Sequence, residues 1–190
     1  MKITKINGPD IGVAIQVSRN IFYQTIAPFA QSRQIIDYFE EYLQTVEQEV
    51  AAGRLTLWGA IMNNCIVGVS ALNTQGHITM LYVNQPDWHK GIGKKLIKEM
   101  RTFAYNEYRL EEITVNAMPV WTAGFFYSCG FAPVSATYSG NEIFIPLKIK
   151  VKKEIRYKRR AISTKAVLLN VFIFLAIIMA TIIWYVLTLL

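Results

Sequence analysis

Residues 166–190, AVLLNVFIFLAIIMATIIWYVLTLL, run for 25 residues without an Asp, Glu, Lys, Arg or His. As an α-helix rising about 1.5 Å per residue, the segment would reach about 37 Å, more than the roughly 30 Å hydrocarbon core of a bilayer. A buried helix of a soluble domain seldom runs so far without a charge, and this one is apolar on every face. The expectation is a C-terminal transmembrane helix crossing once with some tilt. Asn170, Thr181 and Thr188 are tolerable there, because hydroxyls bond back to helix carbonyls and an amide near the end reaches the interface.

The chain carries a formal charge of +7, and the position of that charge matters more than its size. Residues 1–147 hold 11 Lys and Arg against 12 Asp and Glu, whereas 148–165, KIKVKKEIRYKRRAISTK, hold nine basic residues and one acid. The head is therefore nearly neutral; nucleic-acid binding is open only to the basic collar as a minor reading, and no nucleic-acid partner is expected. A basic collar beside an apolar helix instead attracts anionic lipid headgroups and keeps its own side of the membrane cytoplasmic. The reading is therefore three parts: a head at 1–147, a juxtamembrane collar at 148–165 and a membrane helix at 166–190. The head is expected in the cytoplasm, since MKITKINGPD has no apolar signal region. Cys65 and Cys129 read as small packed residues without a disulfide, and with His77 and His89 they show no metal-ligand spacing, so no metal is expected. Oligomeric state is not readable.

Within the head, apolar residues at helical spacing mark 10–27, through Ala14, Ser18 and Phe22, and Gln31 to Ala52, through Phe39, Leu43 and Val46. The period then changes. Leu55 to Met62, Cys65 to Leu72 and His77 to Val83 are rich in branched and aromatic residues and are separated by Asn63-Asn64 and Asn73 to Gly76, which predicts an antiparallel meander. A helix through Ile92, Leu96, Met100 and Phe103 follows. Beyond it come a strand at Glu112 to Asn116, a short helix at Val120 to Cys129, and strands near Ala132 to Thr137 and Glu142 to Ile149. The order is α+β, a mixed and mostly antiparallel central sheet flanked by helices with one central crossover.

The junction LYVNQPDWHKGIGKKL, Leu81 to Leu96, takes a strand through a turn into a helix that opens on glycines. Glycine lets backbone N–H groups approach a ligand closely, and those at a helix start are unpaired at the positive end of the dipole, where phosphate oxygens fit. Lys90, Lys94 and Lys95 would add charge. A tight turn is the plain alternative. A Walker A loop is excluded because its first Gly position is Trp88 and its Ser or Thr position is Lys95; a dinucleotide fingerprint is excluded because its third small residue would be Leu96.

The junction resembles the acetyl-coenzyme A loop, Q/R-x-x-G-x-G/A, of the GCN5-related N-acetyltransferase (GNAT) superfamily. Ile113 to Asn116, Pro119, Phe125-Phe126, Gly130-Phe131 and Asn141 to Pro146 continue the resemblance in order and spacing. It covers about residues 3–147. It implies an acyltransferase moving acetyl from acetyl-coenzyme A to a primary amine. Backbone groups of Leu81, Tyr82 and Val83 would hold the pantetheine arm where a bulge opens the sheet, N–H groups of His89, Lys90, Gly91, Ile92, Gly93 and Lys94 would take the pyrophosphate, and Asn116 would touch the coenzyme from the next strand.

Two departures stand out. Trp88 occupies the Q/R position, and Phe126 occupies the place where the family often carries a Tyr that protonates the leaving thiolate. Tyr127, one position on, is the candidate acid, although one helical step turns it about 100°. His77, at the start of the strand leading to the loop, is the candidate base. A catalytically weak coenzyme-binding sensor anchored in the membrane is the alternative to an enzyme. The acceptor is not identified.

Overall fold

The computed structural model describes residues 1–30, 32–135 and 144–151. The expected membrane helix at 166–190, and the collar beyond residue 151, lie outside the described residues. In chain order the elements are β1 (Lys2–Ile6), α1 (Asp10–Thr25), α2 (Arg33–Ala51), β2 (Leu55–Met62), β3 (Cys65–Asn73), β4 (His77–Val83), α3 (Ile92–Asn106), β5 (Glu112–Ala117), α4 (Ala123–Ser128), β6 (Ala132–Pro133) and β7 (Ile145–Lys150). The expected α+β sheet with flanking helices is what forms. The described strands make one sheet in the order β1-β2-β3-β4-β5-β7-β6, and β4–β5 is its parallel pair.

Alternation along the strands feeds two cores. Leu57, Val69, Ala71 and Met80 pack against Ala14 and Phe22 of α1 and Phe39, Leu43 and Val46 of α2, with the Phe22 and Phe39 rings stacked at 3.7 Å. On the other face Trp58, Leu72 and Ile113 meet Leu96, Ile97 and Met100 of α3. Each helix buries the stripe that its spacing predicted.

Some expectations shift. β1 has no counterpart among the expected strands: KITKI is short, carries two lysines and lies at the sheet edge, with only Ile6 buried, so its pattern is faint. The strand expected from Glu142 begins at Ile145 in the described part, and it runs through Lys150 into the basic segment. There the Arg101 guanidinium donates to the Lys150 carbonyl at 3.1 Å, Lys148 pairs with Glu112 at 3.5 Å, and Val151 is buried. The head therefore reaches past the boundary at 147, because β7 needs its full register with Glu112 to Ala117. Cys129 is partly buried beside the second core, but Cys65 is exposed at the β2–β3 turn and is not a packed residue.

The decisive irregularity is in β4. Ala71 pairs with Met80, yet its neighbour Leu72 pairs with Ile78, so Thr79 is an extra residue, a β-bulge. The bulge reverses the strand's parity. Ile78 belongs to the core under α3, while Met80, two residues on, belongs to the core under α1 and α2. Backbone groups switch edges with the side chains. β4 and β5 accordingly share only two register pairs, His77 with Thr114 and Ile78 with Val115, and beyond them no pairing joins the two strands.

His77 sits at the closed end of that split. Its N–H donates to Asn73 Oδ1 at 2.8 Å, and its Nδ1 is 2.9 Å from Thr114 Oγ1, a side-chain link between β4 and β5. Burial lowers its pKa below the ordinary 6.5, so the native state holds the neutral ring. The unfolded chain then binds more protons than the native one in acid, and this part of the stability, complete above about pH 6.5, is lost as pH falls below that value. Thermal melts between pH 5 and 7.5 should show a steeper acid-side loss for the parent chain than for His77→Gln. Parallel curves would remove this residue from the acid sensitivity.

Candidate active site

Asn84 donates its N–H to the Val67 carbonyl at 3.0 Å and so faces β3. Strand alternation then points the backbone groups of Leu81 and Val83 the other way, into the gap left by β5. A cleft of about 740 Å³ occupies that gap. Leu81, Tyr82 and Val83 line it from β4, and Asn116 lines it from β5. The bulge at Thr79 therefore frees polar backbone groups inside a buried sheet and supplies the space in which something can bond them.

The strand-to-helix loop closes one end. His89 and Gly91 both have left-handed backbones, at φ 63° and 77°, which turns the chain sharply between Trp88 and α3. The first bond across the loop into the helix runs from Lys95 N–H to the Gly91 carbonyl at 3.1 Å, so the N–H groups of Ile92, Gly93 and Lys94 lie ahead of it, at the positive end of the helix. His89, Gly91, Ile92, Gly93 and Lys94 all line the cleft. Lys90 behaves otherwise: its ammonium is bound at 2.8 Å by the largely buried Asp87 carboxylate, so its charge fastens the loop and is not free for an anion. Gly93 also has a packing reason. A Cβ there would lie 2.8 Å from the Phe125 ring, so glycine admits the α4 aromatic against the start of α3.

Trp88, at the position where a polar residue was expected, has found a polar task. Its indole N–H donates to the Val83 carbonyl at 2.7 Å and takes one of the acceptors that the split exposes. Asn116 lines the cleft from β5, and the two acid–base candidates do not line it. Tyr127 is 44% exposed and does not line the cleft, whereas Phe126, 6% exposed, does. The helical step separates them: α4 turns Phe126 inward and Tyr127 toward solvent. His77 does not line the cleft either. It lies four residues before Leu81, roughly 13 Å along a strand, and is occupied with the closed end of the split. Neither side chain is among those lining the cleft.

The sequence reading gave Tyr82 a backbone role only and named no site residue at the end of α1. Tyr82 lines the cleft on the α1–α2 side with Thr25 and Ile26, and burial raises the pKa of its phenol, with the neighbouring Tyr42 adding to it. Tyr42 is itself pushed up to about 12 by burial, against the opposing effect of its 2.6 Å bond to Thr79 Oγ1. The bulge that exposes this wall is implied by the family resemblance, and the structure places it at Thr79. Among the described residues no group of three His, Cys, Asp or Glu side chains gathers as a metal site.

Residues 26–151, about two-thirds of the chain, match the family model of the acetyltransferase (GNAT) domain. The chain belongs to the GNAT acetyltransferases and is an acyltransferase of that family. Comparison with curated protein sequences returns no significant match. Solved structures share the fold. A GCN5-related N-acetyltransferase from Rhodopseudomonas palustris aligns with a TM-score of 0.64 at 18% identity, over 78% of this chain and 94% of that one. The PaiA N-acetyltransferase of Thermoplasma acidophilum, solved with coenzyme A, aligns with a TM-score of 0.64 at 20% identity over 79% and 99%. A spermidine N-acetyltransferase from Vibrio cholerae aligns with a TM-score of 0.54 at 12% identity over 82% and 98%.

The loop allows a paired test. Gly91→Ala forces a side chain into the left-handed region and should cost about 1 kcal/mol. Gly124, inside α4 with no atom within 4 Å of where a Cβ would stand, should instead gain a few tenths to about 1 kcal/mol as Gly124→Ala. Thermal unfolding of both variants checks the sign difference.

Proposed function

We propose that this chain is a membrane-held N-acetyltransferase that moves the acetyl group of acetyl-coenzyme A to a primary amine at the cytoplasmic face. The observation that carries the coenzyme reading is the split between β4 and β5, where the strand edge of Leu81 and Val83, unpaired with β5, and the open N-terminus of α3 face one cleft. The coenzyme supplies an activated acetyl thioester. Its fit rests on features of this chain: a left-handed glycine at the loop, unpaired N–H groups at Ile92, Gly93 and Lys94, and a gap beside an unpaired strand edge.

Each part then has a task. The α3 N–H groups and dipole hold the pyrophosphate, and Asp87 with Lys90 fixes the loop that presents them. The Leu81 and Val83 edge orients the pantetheine arm, with the Trp88 indole already satisfying one carbonyl. The Leu81 N–H polarises the thioester carbonyl as charge develops on its oxygen. Phe125 and Phe126 exclude water from the α4 side. With Phe126 in the cleft, the thiolate leaves without a tyrosine of α4 beside it.

Membrane attachment is supported by the 25-residue apolar segment and by the basic residues before it. Attachment raises the effective concentration of acceptors at the same surface. Carbonate extraction at high pH should leave the full chain with the membranes, and release of the chain into the supernatant would count against the spanning helix.

Phe126 also favours a second reading, a weakly catalytic module that binds acetyl-coenzyme A and reports it to a membrane partner. Thiol release by the full chain in lipid nanodiscs separates the two. Tyr127→Phe should leave kcat within about two-fold, and Phe126→Tyr should raise it, because a positioned acid is worth roughly 10²-fold or more where proton delivery limits. Coenzyme binding with no thiol release over a broad amine panel would favour the sensor. A large loss in Tyr127→Phe would show that its hydroxyl reaches the reacting sulfur.

A further inference from the structure

The cleft passes through the sheet, and its two ends differ in chemistry. At the α3 end lie the loop, Lys94 and free N–H groups suited to an anion. At the α1–α2 end the wall is built from Ile21, Thr25 and Ile26 of α1 and its C-terminal turn, with Met80 and Tyr82 of β4 opposite. Thr25 is buried and turns its hydroxyl back onto the Ile21 carbonyl at 2.7 Å. Thr79 is engaged by Tyr42 at 2.6 Å. The Tyr82 hydroxyl has no protein hydrogen-bond partner among the described residues. One turn beyond Ile26, Phe29 bonds its N–H to the Ile26 carbonyl at 2.9 Å and leaves its side chain 67% exposed.

Among the described residues this end has no carboxylate in its wall. Asp87, the acid that lines the cleft, belongs to the loop and is held by Lys90. Glu40 of α2 is held by Arg19 of α1, with contacts of 3.0 to 3.1 Å. An acceptor that brings further ammonium groups besides the reacting one would have to desolvate them against isoleucine and methionine, and an unpaired buried charge is costly. An acceptor that brings one amine and an apolar remainder meets a matching wall, with the Tyr82 hydroxyl available to the nitrogen.

We infer that the acceptor is a primary amine carried on an apolar aryl or alkyl arm, and that Ile26 and Tyr82 set this preference. The inference rests on the acetyl-transfer reading above and deepens it. The neutral amine nitrogen forms the new N–C bond to the acetyl carbon as the C–S bond breaks. The sulfur takes the electron pair, and the proton lost from nitrogen passes to solvent while the thiolate is protonated to the free thiol. The products are an N-acetyl amide and coenzyme A.

The test uses the full chain in lipid nanodiscs, with thiol release from acetyl-coenzyme A followed for phenethylamine, hexylamine and spermidine, and coenzyme affinity measured on the same samples. The expected kcat/KM for phenethylamine and hexylamine exceeds that for spermidine by at least about ten-fold. Ile26→Asp should reverse the order, lowering the apolar amines about ten-fold and raising spermidine, with coenzyme affinity unchanged. Should Ile26→Asp fail to fold, the milder Ile26→Thr at the same wall position carries the same test with a shift of about three-fold. Coenzyme binding with spermidine equal to or better than the apolar amines overturns the inference and leaves acetyl transfer standing. Coenzyme binding with no turnover on any amine overturns it in favour of the sensor. Failure to bind coenzyme overturns the acetyl-transfer reading, and the inference falls with it.

Discussion

One extra residue in β4 governs the site. A sheet strand buried on both faces normally has its N–H and C=O groups bonded on both edges, and leaving them open inside a protein is costly. Thr79 breaks the register with β3, reverses the parity of the strand and ends the pairing with β5 after two residues. From that follow the gap, the polar edge at Leu81 and Val83, and the division of the cleft between two helical layers. The fold tolerates the gap because its closed end is well tied. The Thr114 N–H bonds the Gly76 carbonyl at 2.8 Å, and His77 reaches Thr114 through its side chain.

Around that opening the chain satisfies itself where it can. Trp88 is instructive, because a tryptophan where a polar residue was expected looks like a loss of function on a residue count. In three dimensions its N–H is a single donor directed at the Val83 carbonyl, and the ring forms part of the cleft wall. Any ligand that bonds the same carbonyl shares it with the indole or displaces it. Lys90 shows the converse. A lysine in a glycine-rich loop reads as an anion contact, but its nearest partner is an aspartate three residues earlier, and the pair stabilises the loop.

The elements were largely legible because helix and strand periods are local. Ala14, Ser18 and Phe22, or Phe39, Leu43 and Val46, announce their buried faces at three- and four-residue steps. The glycine loop was legible for the same reason, since a strand, a turn and an amphipathic helix follow one another in sequence. β1 was not, because a five-residue edge strand with two lysines and one buried residue has almost no buried face to advertise. The limits of β7 were not, because its last residues are basic and composition assigns them to the collar, while the ladder with β5 assigns them to the sheet. Tyr127 and His77 are each next in sequence to residues that line the cleft, yet neither lines it. The helical rotation of α4 and the bulge in β4 are the two things that proximity in sequence cannot express.

The asymmetry of the cleft also bears on how one fold serves different acceptors. The half of the cleft beside α3 is lined by backbone groups and by a loop whose glycines answer to φ and to the Phe125 ring, so side-chain changes there are constrained by geometry. The other half is walled by side chains at the end of α1 and on alternate residues of β4, where a substitution alters chemistry without disturbing a ladder. Ile26 illustrates this freedom: it lies after the last turn of α1, with a helical bond from its own N–H to the Phe22 carbonyl at 2.8 Å, so its backbone is fixed whatever its side chain. On the proposed reading, specificity is set where the backbone is already satisfied, and reactivity where it is not.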